Sequence, residues 1–217
     1  MLAILIGLGT WQVERLQWKT AVLAQIDAAE AAPGVPLPAS PAPFEKVHVN
    51  GHLLGNLRAT YGAEVHDLRQ GPVLGTELIV PLQSRSSRLM LIDLGWIPSD
   101  QRYSVRFPTD AVSIDGYVRP AEHAGVFSAT DSPDTHEYYT LDPQVIAAGF
   151  GMRGVEAFTL IAMGPAPVGV YPEPATHLPR PPNNHLQYAI TWYGLAVTLV
   201  VIFIAWVRRR EANVRPV

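Results

Sequence analysis

Cysteine is absent from the 217 residues of this chain. That excludes disulfides and thiolate metal sites and leaves the compartment open. Positive charge is scarce through the middle. Between Thr20 and Gln187 ten Lys and Arg stand against seventeen Asp and Glu, a net charge of −7. Such a surface suits a phosphate backbone poorly, so no nucleic-acid partner is expected. No nucleophile elbow, phosphate loop or zinc-binding helix occurs in the sequence, and no enzyme activity is expected. Finally, charge of either sign is missing from Leu186 to Val207.

That last gap spans 22 mostly apolar residues. As a helix it measures about 33 Å at about 1.5 Å per residue, enough to cross a bilayer core. Arg208, Arg209 and Arg210 follow at once and mark the inner side by the positive-inside rule. The chain before Leu186 therefore approaches from outside. His185 falls at the outer headgroup boundary, with Tyr188, Trp192 and Tyr193 just below it.

The N-terminus is apolar from Met1 to Val13 except for Thr10 and Gln12, and is too short to span. It lacks the basic region and small-residue cleavage site of a secretory signal. The next residues, to Lys19, form an amphipathic continuation with Trp11, Arg15 and Trp18 on one helical face. This reads as the outer exit of a transmembrane helix whose first turns are missing, with helix continuing from 13 to 31. Ala3 with Gly7, and Gly194 with Thr198, are small-residue pairs suited to close helix packing.

The expected organisation is a shortened first transmembrane helix and its outer exit over 1–19, then a helix continuation and proline-rich spacer over 20–43. A β-rich extracytoplasmic domain occupies 44–165. A second proline-rich spacer covers 166–185, a second transmembrane helix 186–207 and a basic cytoplasmic tail 208–217. The fold class is thus a membrane protein with two transmembrane helices flanking one antiparallel β-rich domain, a barrel or a sandwich. Short alternating runs carry that reading: Val47–Leu53, Ala59–Tyr61, Glu77–Leu82, Val112–Val118, Tyr138–Leu141 and Ala157–Ala162. Arg88–Leu94 is more continuously apolar, as a central strand would be, and a short helix is expected over Pro143–Gly149. Ile79, Val80, Leu89, Leu91, Ile92, Phe158 and Leu160 are expected in the core. Val47–Leu53 and Val112–Val118 echo each other 65 residues apart. Asn50-Gly51 and Asp115-Gly116 in them suit a tight turn or a bulge.

Three motifs resemble a known family. They are Leu8-Gly9-Thr10-Trp11-Gln12 with Arg15 and Trp18-Lys19, then Gly95-Trp96-Ile97-Pro98 after a hydrophobic strand, then the run Asn183 to Trp192. Together, in this order, they resemble the Surfeit-locus (Shy1-type) cytochrome c oxidase assembly proteins over nearly the whole chain. The family pattern has Asn-Arg before Gly-Trp, where this chain has Asp93 and Leu94. The resemblance implies an inner-membrane, multi-pass assembly factor for a haem-copper oxidase, associated with haem A insertion. It implies the catalytic subunit of the oxidase as partner, along with the lipid bilayer and the haem A synthesis machinery.

His185 is the sole histidine at a predicted membrane helix, and a neutral imidazole can ligate haem iron. Tyr188 and Trp192 follow at i+3 and i+7 on the same face and suit a flat ring. Arg15 and Lys19 suit its propionates. The alternative is a headgroup-solvated histidine among aromatics that merely anchor the helix. His48, His52 and His66 read as solvated strand histidines, since a metal site needs a full ligand set and supporting hydrogen bonds. Asp131, Asp134 and Glu137, near His123 and His136, read as a solvated loop. Trp96 reads as core or an interface anchor.

Overall fold

The computed structural model describes residues 1–68, 71–125, 128–165, 167, 169–180 and 182–214. The elements are α1 (Leu2–Ala31), β1 (Val35–Pro36), β2 (Lys46–Leu53), β3 (Ala59–Leu68), β4 (Gly71–Ser84) and β5 (Leu89–Pro98). They continue with β6 (Val112–Pro120), β7 (Glu137–Tyr138), α2 (Pro143–Gly149), β8 (Val155–Ala162) and α3 (His185–Val214). Two compact units result. One is Met1–Ala28 with Pro179–Val217, and the other is Ala29–Leu178.

In the second unit, strands β2, β6, β8, β5 and β4 are hydrogen-bonded in that order, and β4 returns to β2. Five strands therefore close into a barrel. β3 and β7 extend it beside β4, and β1 lies against β2. The expectation of an antiparallel domain needs correcting: the short strands β1 and β7 pair in parallel with β2 and β3, and within the ring β5 and β8 pair in parallel, Leu91 opposite Thr159 and Ile92 opposite Leu160. A closed ring with an odd number of strands cannot alternate direction throughout, so one parallel pair is unavoidable. Numbered along the chain, the ring order is 1-2-3-5-4, that of an OB-type barrel. Fold alone assigns no function.

The two echoed segments are neighbours. β2 and β6 pair antiparallel, Val47 opposite Gly116 and Gly51 opposite Val112. Their Asn-Gly and Asp-Gly dipeptides are not turns, for both lie inside strands and neither glycine has positive φ. They are crossing points instead. A Cβ on Gly51 would lie 2.3 Å from the Gln83 carbonyl oxygen, and one on Gly116 2.2 Å from that of Ile161. Only glycine lets the strands approach so closely where the barrel closes.

Alternating side chains of β2, β4, β5, β6 and β8 fill the interior. One cluster holds Val47, Leu82, Met90, Ile92, Val118 and Leu160, and a second holds Leu78, Val80, Ile97 and Val105. Of the expected core, Ile79, Val80, Leu91, Ile92, Phe158 and Leu160 are buried, while Leu89 is only half-buried at the strand start. α2 begins where Asp142 accepts the Gln144 and Val145 amides at 2.9 and 3.3 Å, with Pro143 at its first position.

In the helical unit, the stretch His185–Arg210 of α3 is, among the described residues, the one segment long and apolar enough to cross a bilayer. α1 does not meet that measure, because Glu14, Arg15 and Lys19 interrupt its apolar run. The helices meet at neither expected small-residue pair. Gly7 and Gly194 have no neighbour within 4 Å of a built Cβ, whereas one on Gly9 would touch the Tyr193 ring at 2.8 Å. Ala189 and Ala196, two turns apart, are buried on α3.

Candidate functional site

Where α3 begins, His185 faces α1. Its Nδ1 donates to Gln12 Oε1 at 2.7 Å, and Gln12 is itself buried. Trp11 meets the imidazole edge-on with ring centroids 6.5 Å apart. A side-chain amide oxygen can only accept, so Nδ1 is the donor, and in the neutral imidazole that leaves the lone pair on Nε2. That is the tautomer a metal-ligating imidazole requires, held by a second hydrogen bond in the usual way. The donor set fits haem iron.

The other expected residues surround this point unevenly. Arg15 lies over Trp11 and Trp18, 5.9 and 5.1 Å from their centroids. Lys19 follows one turn later, half-buried. Tyr188 is exposed and Trp192 half-buried; ring contact to His185 comes from Trp11 rather than from either of them. Gln12 and Tyr193 were not foreseen in these roles. Gln12 was one of two polar interruptions of an apolar run, and that was the available signal. Tyr193 packs on Gly9 and its hydroxyl lies 3.2 Å from Thr10 Oγ1.

The barrel holds a second site that sequence reading missed. A cavity of about 580 Å³ opens between β3, β4, β5, β6, β8 and the segment 173–176. At its floor Glu77 of β4 and Asp93 of β5 share a hydrogen bond. The bulge between Glu77 and Ile79 sets that register. Asp93 is 2% exposed and accepts the Gly95 amide at 3.0 Å. Burial first, then the Asp93 charge, pushes Glu77 up to about 9. Burial also pushes Asp93 up to about 6, while the Gly95 amide and Glu77 act in the opposite direction. Burial thus holds one proton on the pair at neutral pH, between the two carboxyls.

Beside them Arg119 donates to Glu122 and, at 3.2 Å, to the Tyr61 hydroxyl. Its guanidinium stands 5.5 Å from the Tyr61 ring centroid. At the mouth His66 stacks on Trp96, centroids 4.2 Å apart and planes within 6°. Glu64 and Glu173 flank the imidazole at 3.6 and 3.7 Å. His66 is therefore no free strand histidine. Trp96 is core, as expected, and is also a cavity wall.

The remaining expectations resolve simply. Among the described residues no group of three or more His, Cys, Asp or Glu side chains is placed to hold a metal ion. Asp131 organises its loop by accepting the Tyr139 and Thr140 amides at 2.6 and 3.2 Å.

A closed β barrel on a chain that carries a bilayer-length apolar helix is the class defined by these features. The SURF1 family profile matches residues 1–197. A SURF1-like protein of Rickettsia conorii is 28% identical over 96% of this chain and 89% of its own length. Surfeit locus protein 1 of Mus musculus is 29% identical over 94% of this chain and 72% of its own. That of Homo sapiens is 26% identical over 88% and 69%. The chain belongs to the SURF1 family, the oxidase assembly factors that its terminal motifs resemble.

Proposed function

We propose that this protein assists maturation of a haem-copper (cytochrome c) oxidase by holding haem A, or passing it to the catalytic subunit, at the outer face of the inner membrane. α1 would supply a second span, with the barrel outside and the arginine tail inside. The observation that carries the reading is the His185–Gln12 hydrogen bond, which leaves Nε2 free at the end of a bilayer-length helix. When bound, haem supplies an iron that takes an imidazole nitrogen and two propionates that take cations. His185 would be the ligand. Arg15 and Lys19 would face the propionates, and Tyr188 and Trp192 would line the ring. A single protein ligand suits a carrier that must release its cargo.

The same hydrogen bond favours a second reading, because it also joins α1 to α3 without any cofactor. On that reading the protein stabilises an oxidase intermediate by contact alone. Absorption spectra of protein purified from cells making haem A separate the two. Haem delivery predicts a Soret band in the wild type that is lost or shifted in His185→Ala, with membrane insertion unchanged. No band in the wild type supports the contact reading. An identical band in the variant places the ligand elsewhere.

A further inference from the structure

The barrel cavity contains one guanidinium already, and the way it is held shows what the rest of the cavity lacks. Arg119 is bound by the Glu122 carboxylate, by a tyrosine hydroxyl and by the Tyr61 ring. Glu77 and Asp93 have nothing comparable. Among the described residues no Arg, Lys or His nitrogen forms an ion pair with either of them within 4.0 Å. Arg119 is committed to Glu122, and His66 to Glu64 and Glu173. Asp93 is nonetheless almost wholly buried and faces the cavity. Two carboxyls pressed together with no ion pair of their own, under only the more distant charge of Arg119, weaken a fold, and well-packed apolar residues would serve stability better. Their placement in a walled cavity points to a ligand.

We propose that this cavity binds a guanidinium cation, of the kind an arginine side chain presents, between the Glu77 and Asp93 carboxyls and the aromatic side chains of Tyr117 and Trp96. Charge selects a cation, because only positive charge or a proton relieves the pair. Planarity selects guanidinium over ammonium, since a fork of donors can serve two carboxyls at once while its faces rest on rings. Volume permits it, for about 580 Å³ exceeds the size of one arginine side chain several times. The groups facing the pair are Tyr61, Glu64 and His66 of β3, Tyr117 and Arg119 of β6 and Glu173 beyond β8. Of these Arg119 is the permanent cation, neutralised by Glu122, and a protonated His66, held by Glu64 and Glu173, would add a second below neutral pH. Binding expels the proton the carboxyl pair holds, so affinity rises with pH. The ligand has two chemical sources, an arginine within a partner polypeptide or a free small guanidine.

The test is calorimetric titration of the full chain in detergent with methylguanidinium at pH 7, in two buffers of different ionisation heat. The expected result is saturable binding with release of about one proton per site, and weaker binding at pH 5. Glu77→Gln and Asp93→Asn should each weaken binding about tenfold or more, and Glu77→Gln should abolish the proton release. Both variants remove repulsion and are expected to fold, which their melting curves check. Methylammonium should bind more weakly. N-acetyl-argininamide binding at least as well as free arginine identifies a side chain as the source; the reverse order identifies a free guanidine. No saturable heat, equal binding by methylammonium, or undiminished binding in both folded variants overturns the proposal.

Discussion

At the scale of single residues, the carboxyl pair makes stability depend on pH in an unusual direction. Glu77 and Asp93 have ordinary values of 4.5 and 3.8 and are raised to about 9 and about 6 in the folded chain. The folded state therefore binds protons more tightly than the unfolded one. Stability from these groups is fully present below the ordinary values and is lost as pH rises through about 6 and then about 9. The melting temperature of wild type should fall between pH 5 and 9. Glu77→Gln, which cannot ionise and keeps an amide to donate to Asp93, should melt higher at pH 9 by several degrees, roughly 2–4 °C per kcal/mol for a domain of this size. Equal slopes in the two proteins would show that the pair titrates normally. Sequence made Asp93 visible only as a departure before Gly95-Trp96. Nothing local announced Glu77 as its partner, because the extra residue that brings the two together lies on β5, where Asp93 to Trp96 face only Glu77 to Ile79. His185 was legible because the motif stands beside a charge-free run. Its hydrogen bond to Gln12 was not, since the two lie 173 positions apart.

At the scale of elements, periodicity located the strands well and their pairing poorly. The alternating runs of β2, β4, β6 and β8 and the apolar run of β5 all became strands. The short helix formed over the expected residues, with Asp142 and Pro143 supplying its start. The parallel β5–β8 pair escaped notice because β6, β7 and α2 intervene along the chain. The echoed Asn-Gly and Asp-Gly dipeptides misled for a related reason: glycine there answers to a neighbouring backbone rather than to its own φ. Gly116→Val should therefore force β6 from β8 and cost about 3 kcal/mol or more. Leu91→Ala leaves that backbone intact but empties a fully buried position, at a cost of about 2–5 kcal/mol. Chemical denaturation of both variants checks the two values. A Gly116→Val protein as stable as wild type would mean that the barrel is not closed at that crossing.

At the scale of the whole molecule, the distribution of charge and hydropathy bears on topology. His185–Arg210 is long and apolar enough to span. Arg208, Arg209 and Arg210 end it, and the stretch from Thr20 to Gln187 carries a net charge of −7. The arginines are the topological determinant, since acidic residues contribute little to orientation. Moving three cations across a bilayer core is costly, whereas the barrel residues carry no comparable signal to stay inside. The barrel should accordingly lie outside and the tail inside. Protease added to intact spheroplasts should then cut exposed segments between Thr20 and Pro179. The proline-rich stretch from Pro33 to Pro43 offers extended, mostly unpaired backbone for it. A tag fused after Val217 should survive the same treatment and become cleavable only when the membrane is opened. Loss of the tag in intact spheroplasts would reverse the orientation. Full protection of the barrel, with cleavage on lysis, would place it in the cytoplasm and remove any role for His185 at the outer face.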